Sequence, residues 1–295
     1  MMSHDKGSEL LSSVTALKDD LPFSPQILTT LFAQTDEDSK ASLGDIADSI
    51  AADQGLTVKV LSMANSAYYG LQSEVESPAR AVSLLGLETI RCLVLGIGVK
   101  GLAAKMKRGV LDLKKYWRHQ LITAATAKHI ACHVGTLPLA KDAEALIPDQ
   151  IFTAGMLHDF GKLLTALLRP EDWERITQLA KDEALSIAEA EDEYWGLEHG
   201  VVGAMALRSM NLPPSLTEPV NWHHAPNNAP DYVLHAKILC LADAMAVRFD
   251  GPDRKVAGPW ESILEEFDLD ADTLMAEVAE LAEDEGISDL LRALT

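Results

Sequence analysis

Nine histidines occur in the chain. Six of them, His119, His158, His199, His223, His224 and His235, stand at points that could converge. Two carboxylates in apolar surroundings, Asp159 and Asp243, complete the candidate set. Imidazole and carboxylate donors together suit Fe, Mn, Zn or Ni rather than Mg or Ca, which prefer shells of oxygen. Asp243 lies within LADAMAV, where a charge needs a cation, hydrogen bonds or a partner Arg or Lys to compensate it. His158 and Asp159 adjoin in GMLHDFGKLL. Adjacent helical residues diverge by about 100°, so the pair says little alone. Its neighbours Met156, Leu157, Phe160, Leu163 and Leu164 make it part of a buried element. There an unpaired carboxylate is costly, and one shared between two cations is not. Lys162 stands one turn further on, where it either faces the same pocket and meets a phosphate or snorkels to the surface.

A rival pair exists. His129 and His133 stand at i and i+4, as zinc ligands on one helix face do. They follow His119 by ten and fourteen residues, about 15 to 21 Å of helical rise. The two groups cannot serve one centre, and spacing alone does not choose between them.

The elements that position these residues read as helices of ten to twenty residues, punctuated by Pro, Gly and Asp or Ser caps, with almost no alternating strand-like segments. The fold class is therefore all-α. Helices are expected near residues 24–34, 43–52, 57–65, 78–85 and 87–99. A long one runs through LKKYWRHQLITAATAKHIACHV behind Asp112, and others follow near 170–182, 187–194, 201–210, 215–223 and 232–249. Pro78 suits a first helical turn, where its missing N–H loses no bond. ETIRCLVLGIGV is too apolar for a surface helix and too short to span a membrane. Four divisions result: a segment over 1–20, a helical unit over 21–110, a second unit over 111–250 with the candidate metal centre, and two amphipathic helices within 251–295.

A chain of 295 residues, 47% apolar, can bury a large core. Its formal charge of −20 opposes direct nucleic-acid or anionic-membrane binding, both of which need Lys and Arg against phosphate. A bound divalent cation dominates its local field, so a small phosphate-bearing ligand stays open. The acidic residues are expected on solvated helix faces, such as Glu189, Glu191, Asp192 and Glu193, and in the tail at Glu277, Glu280, Glu283, Asp284 and Glu285. Cys92, Cys132 and Cys240 sit in separate apolar runs and read as buried free thiols. No uninterrupted run of 18 apolar residues and no signal-peptide pattern occurs, so a cytoplasmic location is expected.

Over residues 21–249 the motifs resemble the HDOD family, the HD-related output domains of bacterial signalling proteins. DQGLTVKVLSMANSAYYG resembles the family's acidic start, Leu-rich helix and Asn-Ser-aromatic signature, with Gln54 where the family has Pro. SPARAVSLLGLETIRCLVLGIGV resembles the helix pair that follows. Asn65 and Ser66 read as a helix stop with side-chain capping. YWRHQ, GMLHDFGK, EHGVVGAMAL, NWHH and LADAMAV are similar, in order, to the ligand motifs of HD-type phosphohydrolases, including the cyclic-dinucleotide phosphodiesterase branch. The resemblance implies two packed helical units, the second of HD type.

By the same resemblance, His119, His158, Asp159 and Asp243 hold one divalent metal. Asp159 bridges to a second metal held by His199 with His223 or His224, giving one or two ions, and Lys162 meets a substrate phosphate. Asp159 and Lys162 are then the candidate catalytic residues, and His129, His133 and His235 fall outside the set. Many HDOD proteins lack part of it, whereas this chain keeps all. After His224 the chain reads APNNAP, without the Gly-Tyr-Pro segment associated with cyclic di-GMP hydrolysis. The leading expectation is a regulatory protein that binds metal and acts through a protein partner or a small ligand. The second is a metal-dependent phosphohydrolase acting on a nucleotide or other phosphoester, and the third a vestigial, hydrogen-bonded polar core.

Overall fold

The computed structural model describes residues 39–52, 54–65, 75–87, 109–142, 145–209 and 212–294, together with residues 7, 10–13, 30, 31, 34, 90 and 106. Among the described residues there is no strand, so the all-α expectation holds. The expected helices over 24–34 and 87–99 fall, apart from residues 30, 31, 34, 87 and 90, outside the described residues, as do Ser66 and Cys92.

Local chemistry sets the first elements. The hydroxyl of Ser42 accepts the N–H of Asp45, whose carboxylate accepts the N–H of Ser42 in return, and this reciprocal cap opens α1 (Leu43–Ala51). Helix α2 (Gln54–Ala64) packs on it. The Asn65 side chain accepts the N–H of Val75 at 2.6 Å and donates to its carbonyl at 2.9 Å. These bonds reach ten residues along the chain and are not the capping of its own helix that was expected of it. Pro78 begins a helix that runs through 78–87.

The framework of the candidate site is α3 (Leu113–Val134), capped by Asp112, which accepts the N–H of Lys115. It packs most extensively against α4 (Pro148–Leu157) and α10 (Val233–Asp250). A Cβ on Gly155 would lie 2.5 Å from Ala124 Cα, so α3 and α4 cross at backbone contact. Arg118 of α3 pairs with Asp250 and lies 5.2 Å over the Phe249 ring, which fixes α3 against the end of α10. Only His158 and Asp159 separate α4 from α5 (Phe160–Leu168), and Asp159 departs from helical geometry at φ −93 and ψ 12.

Helices α6 (Pro170–Asp182) and α7 (Ile187–Trp195) pack together. Gly196 ends α7 in the left-handed conformation, which costs Gly no Cβ clash. Helix α8 (His199–Ser209) lies between α5 and α9 (Pro214–Trp222). A Cβ on Gly161 would overlap the carbonyl oxygen of His199, so a larger residue there would hold α8 off α5.

The last segment holds three helices rather than the expected two: α11 (Trp260–Glu266), α12 (Ala271–Glu283) and α13 (Glu285–Leu294). His129 meets Glu277 at 3.0 Å, His133 donates to the Phe267 carbonyl at 3.0 Å, and Lys237 pairs with Glu266 at 2.6 Å. Helix α13 packs on both α2 and α3, with Ile287 buried against Leu121 and Ala125.

Two expectations about burial are corrected. Cys132 is exposed, because the outer face of α3 carries it, while Cys240 is buried as expected. Glu191 is fully buried rather than on a solvated face. Residues Pro148–Leu168 have the length and composition of a membrane-crossing segment, but the apolar stretch within them is mostly buried inside the fold, and it breaks at His158 and Asp159.

Candidate metal centre

Five elements bring the predicted residues together. His119 projects from the second turn of α3, His158 and Asp159 from the α4–α5 junction, His199 from the first turn of α8, His223 and His224 from just beyond α9, and Asp243 from the middle of α10. They form three overlapping groups, His119–His158–Asp243, His158–Asp159–His223 and His199–His223–His224, with the donor atoms in each within 4.8 Å of one another. Asp243 Oδ1 is 3.0 Å from His119 Nε2 and 3.4 Å from His158 Nε2. Asp159 Oδ1 is 3.0 Å from His199 Nε2 and 3.4 Å from His158 Nε2. His224 Nε2 is 3.9 Å from Asp243 Oδ2. Both His223 and His224 therefore face the centre, where the sequence left the choice open.

The tautomers follow from the outer contacts. His158 Nδ1 is 2.7 Å from the Gly155 carbonyl and His223 Nδ1 is 2.7 Å from the Val220 carbonyl. A carbonyl only accepts, so Nδ1 carries the proton and Nε2 keeps its lone pair. His199 Nδ1 donates to Glu191 at 2.6 Å and His224 Nδ1 to Glu198 at 2.9 Å. The Nε2 atoms of His158, His223 and His224 thus turn inward with their lone pairs, and that of His199 turns inward toward Asp159.

The inward atoms lack donors to match. Asp159 Oδ1, Asp243 Oδ1, His199 Nε2 and His223 Nε2 are buried and make no hydrogen bond. Each such atom costs on the order of 1–3 kcal/mol, and a divalent cation among them removes that cost while matching the nitrogen and oxygen donor set. The residues present therefore fit a metal.

Protonation is tuned in the same sense. Burial pushes the Asp159 carboxyl up, but His158, Lys162 and His199 outweigh it and hold the group well below the usual carboxylate range. Burial likewise opposes Asp243, which His119 and His158 hold well below that range. Burial and the neighbouring imidazoles push His223 and His224 well below the ordinary histidine value, keeping them neutral. Burial also opposes a charge on His199, yet Glu191 and Asp159 raise it to about 9.

Lys162 donates to Asp159 Oδ2 at 2.8 Å, so it faces the centre rather than snorkelling away. Its side chain is 17% exposed and that of His119 12%, whereas His158, Asp159 and His199 are at most 3% exposed. The centre thus meets solvent beside Lys162 and His119. His129 and His133 instead anchor the C-terminal helices, and His235 packs edge-on to Tyr232 at 5.2 Å, outside all three groups.

The sequence reading missed Glu191 and Glu198. For Glu191 a signal existed: it shares a helix face with buried Ala188, three residues before, and Trp195, four residues after. Glu198 directly precedes His199, and nothing in its loop marks it.

The family model for the HDOD domain matches residues 21–226, which include every predicted ligand except Asp243. An uncharacterized protein of Treponema pallidum is 24% identical over 225 residues, covering 76% of this chain and 41% of that protein. This chain thus spans less than half the length of that curated relative. The solved structure of a candidate phosphohydrolase from Shewanella amazonensis is 25% identical, with a TM-score of 0.71 over 96% of this chain and 98% of that one. That of a candidate signal transduction protein from Marinobacter aquaeolei is 21% identical, with a TM-score of 0.74 over 99% and 66%. The latter likeness is one of fold.

Proposed function

The chain belongs to the HDOD domain family, and from that premise we propose that it is a signalling module whose metal centre binds a small phosphate-bearing ligand or supports a protein partner. His119, His158, Asp159 and Asp243 hold one divalent ion, and His199, His223 and His224 hold a second that shares Asp159. The supporting observation is the set of four buried, inward donor atoms without hydrogen bonds. Iron, manganese, zinc or nickel suits this donor set. Lys162, tethered to Asp159 at the solvent side, supplies an ammonium for an anionic ligand. The net charge of −20 opposes direct binding to nucleic acid or membrane.

Elemental analysis of untagged protein purified without oxygen tests this reading. Wild-type protein is expected to carry or take up one or two of these ions per chain, and Asp159→Ala to lose them while keeping its helical circular dichroism. Wild-type protein that binds none of the four metals refutes it.

A hydrolytic reading is favoured by one observation, the position of Lys162 beside a complete ligand set at the opening to solvent. The Shewanella protein, described as a candidate phosphohydrolase, points the same way. A divalent cation, when bound, supplies Lewis acidity toward a phosphoryl oxygen. Lys162, oriented by its bond to Asp159, then neutralises the phosphate. Turnover of a nucleotide phosphoester with Fe or Mn, abolished by Asp159→Ala, establishes this reading, and its absence across a phosphoester screen leaves the binding module. The turn after His224 is a 3-10 helix over Pro226–Asn228 that lacks Gly-Tyr-Pro, so cyclic di-GMP is not the favoured substrate.

A further inference from the structure

We propose that Glu191 and Glu198 act as positioning residues that turn the His199–His223–His224 side of the centre into a second cation site. This rests on the metal reading above and assigns roles to two residues outside the ligand set.

The two sides of the centre are chemically unequal. The His119–His158–Asp243 side has a carboxylate of its own, while the other has three imidazoles and only borrowed carboxylates, with Asp159 Oδ1 3.0 Å from His199 Nε2 and Asp243 Oδ2 3.9 Å from His224 Nε2. Three neutral imidazoles leave a divalent cation poorly compensated in a buried site. The contacts behind the rings redress this. His158 and His223 are oriented by the neutral carbonyls of Gly155 and Val220, whereas His199 and His224, both on the carboxylate-poor side, are oriented by Glu191 and Glu198.

A carbonyl is sufficient to fix a tautomer, as the first two histidines show. A charge at the same position therefore does something more. Glu191 lies on α7, with no exposed surface, and its Oε2 accepts both the backbone N–H of His199 at 2.8 Å and its Nδ1–H at 2.6 Å. Its Oε1 is buried without a hydrogen bond. Burying a carboxylate in this way is expensive unless a positive charge lies near. The fold places one imidazole between Glu191 and the centre, so the anion raises the basicity of His199 Nε2 as a ligand. Glu198 does the same for His224 from the loop before α8. Asp159, Asp243, Glu191 and Glu198 together match the charge of two divalent cations, and Asp159 and Asp243 alone match one. The ammonium of Lys162 is then left for an anionic ligand.

The test uses the full chain and a single metal, Mn or Zn, titrated into chelator-stripped protein, with elemental analysis for stoichiometry and thermal melting of the metal-free form. Wild type is expected to bind two ions. Glu191→Gln and Glu198→Gln keep shape and remove charge, so each should weaken the second ion about 10- to 100-fold and leave the first within about threefold. Glu198 is 24% exposed, so Glu198→Gln folds even if Glu191→Gln does not. A role in folding alone lowers the metal-free melting temperature and leaves both ions in place, and that result overturns the proposal. One ion on wild type overturns it while the metal centre stands. No ion on wild type overturns both.

Discussion

Replacing Gly161 by alanine sets two effects of opposite sign against each other. Within a helix, Gly→Ala stabilises by up to about 1 kcal/mol through propensity. At this position the added methyl would stand 2.8 Å from the carbonyl carbon of His199 and 2.9 Å from its Cα, besides overlapping its carbonyl oxygen. Carbon–carbon contacts relax at about 3.5–4.0 Å, so α8 must retreat by roughly 1 Å. These are backbone atoms, and no side-chain rotation relieves them. Overpacking of this kind costs about 1–3 kcal/mol, which exceeds the propensity gain. For a chain of this size the net cost of up to about 2 kcal/mol lowers the melting temperature by up to about 4 °C. The same retreat lengthens the 3.0 Å separation of His199 Nε2 from Asp159 Oδ1, so metal uptake should fall as well.

Gly44 is the matched control. It holds the second position of α1 as Gly161 does of α5, and its added methyl would meet only Ser42 Oγ, at 3.4 Å. Thermal melting of chelator-treated Gly161→Ala and Gly44→Ala, followed by metal titration, measures both effects. If Gly161→Ala melts at or above wild type and binds metal equally well, the argument that this glycine sets the α5–α8 approach is wrong.

Three further outcomes are expected. Lys162→Met should keep its metal but bind inorganic phosphate about tenfold more weakly or worse; unchanged phosphate binding in calorimetry would remove Lys162 from ligand recognition. His129→Ala should change stability by no more than about 0.5 kcal/mol, because its pair with Glu277 is exposed, and should leave metal content intact, so metal loss on elemental analysis would contradict the assignment of His129 to the C-terminal anchor. In metal-free protein, His223 and His224 have depressed folded values, so the unfolded chain takes up more protons as pH falls below about 6.5 and stability drops. His199 is raised to about 9, so its contribution is complete below about 6.5 and is lost as pH rises through 9. Melting temperature should therefore peak near about pH 6.5 and decline both below it and between about 6.5 and 9, and a flat profile from about pH 5 to 6.5 would refute the acid limb.

Much of this protein is local and was therefore legible in its sequence. Helical periodicity and caps such as Asp112 act within a few residues, and α11 began and ended where expected. The donor types were equally plain, since a histidine or an aspartate in an apolar run declares its chemistry by its neighbours. Which histidines share one centre was different. His119 and His129 lie on the same helix, and only the placement of α4 and α10 against one end of it carries His119 to Asp243 while leaving His129 to Glu277. Spacing along a chain does not encode contacts between elements. Glu191 shows the same limit most sharply: in sequence it is one acid among several, and it becomes a buried partner of His199 because α8, admitted by Gly161, brings its first turn against α7. The sequence determined helix and ligand chemistry, which arise from bonds a turn apart. The close packing of helices decided the centre, because burial and the direction of each lone pair exist only once distant segments meet.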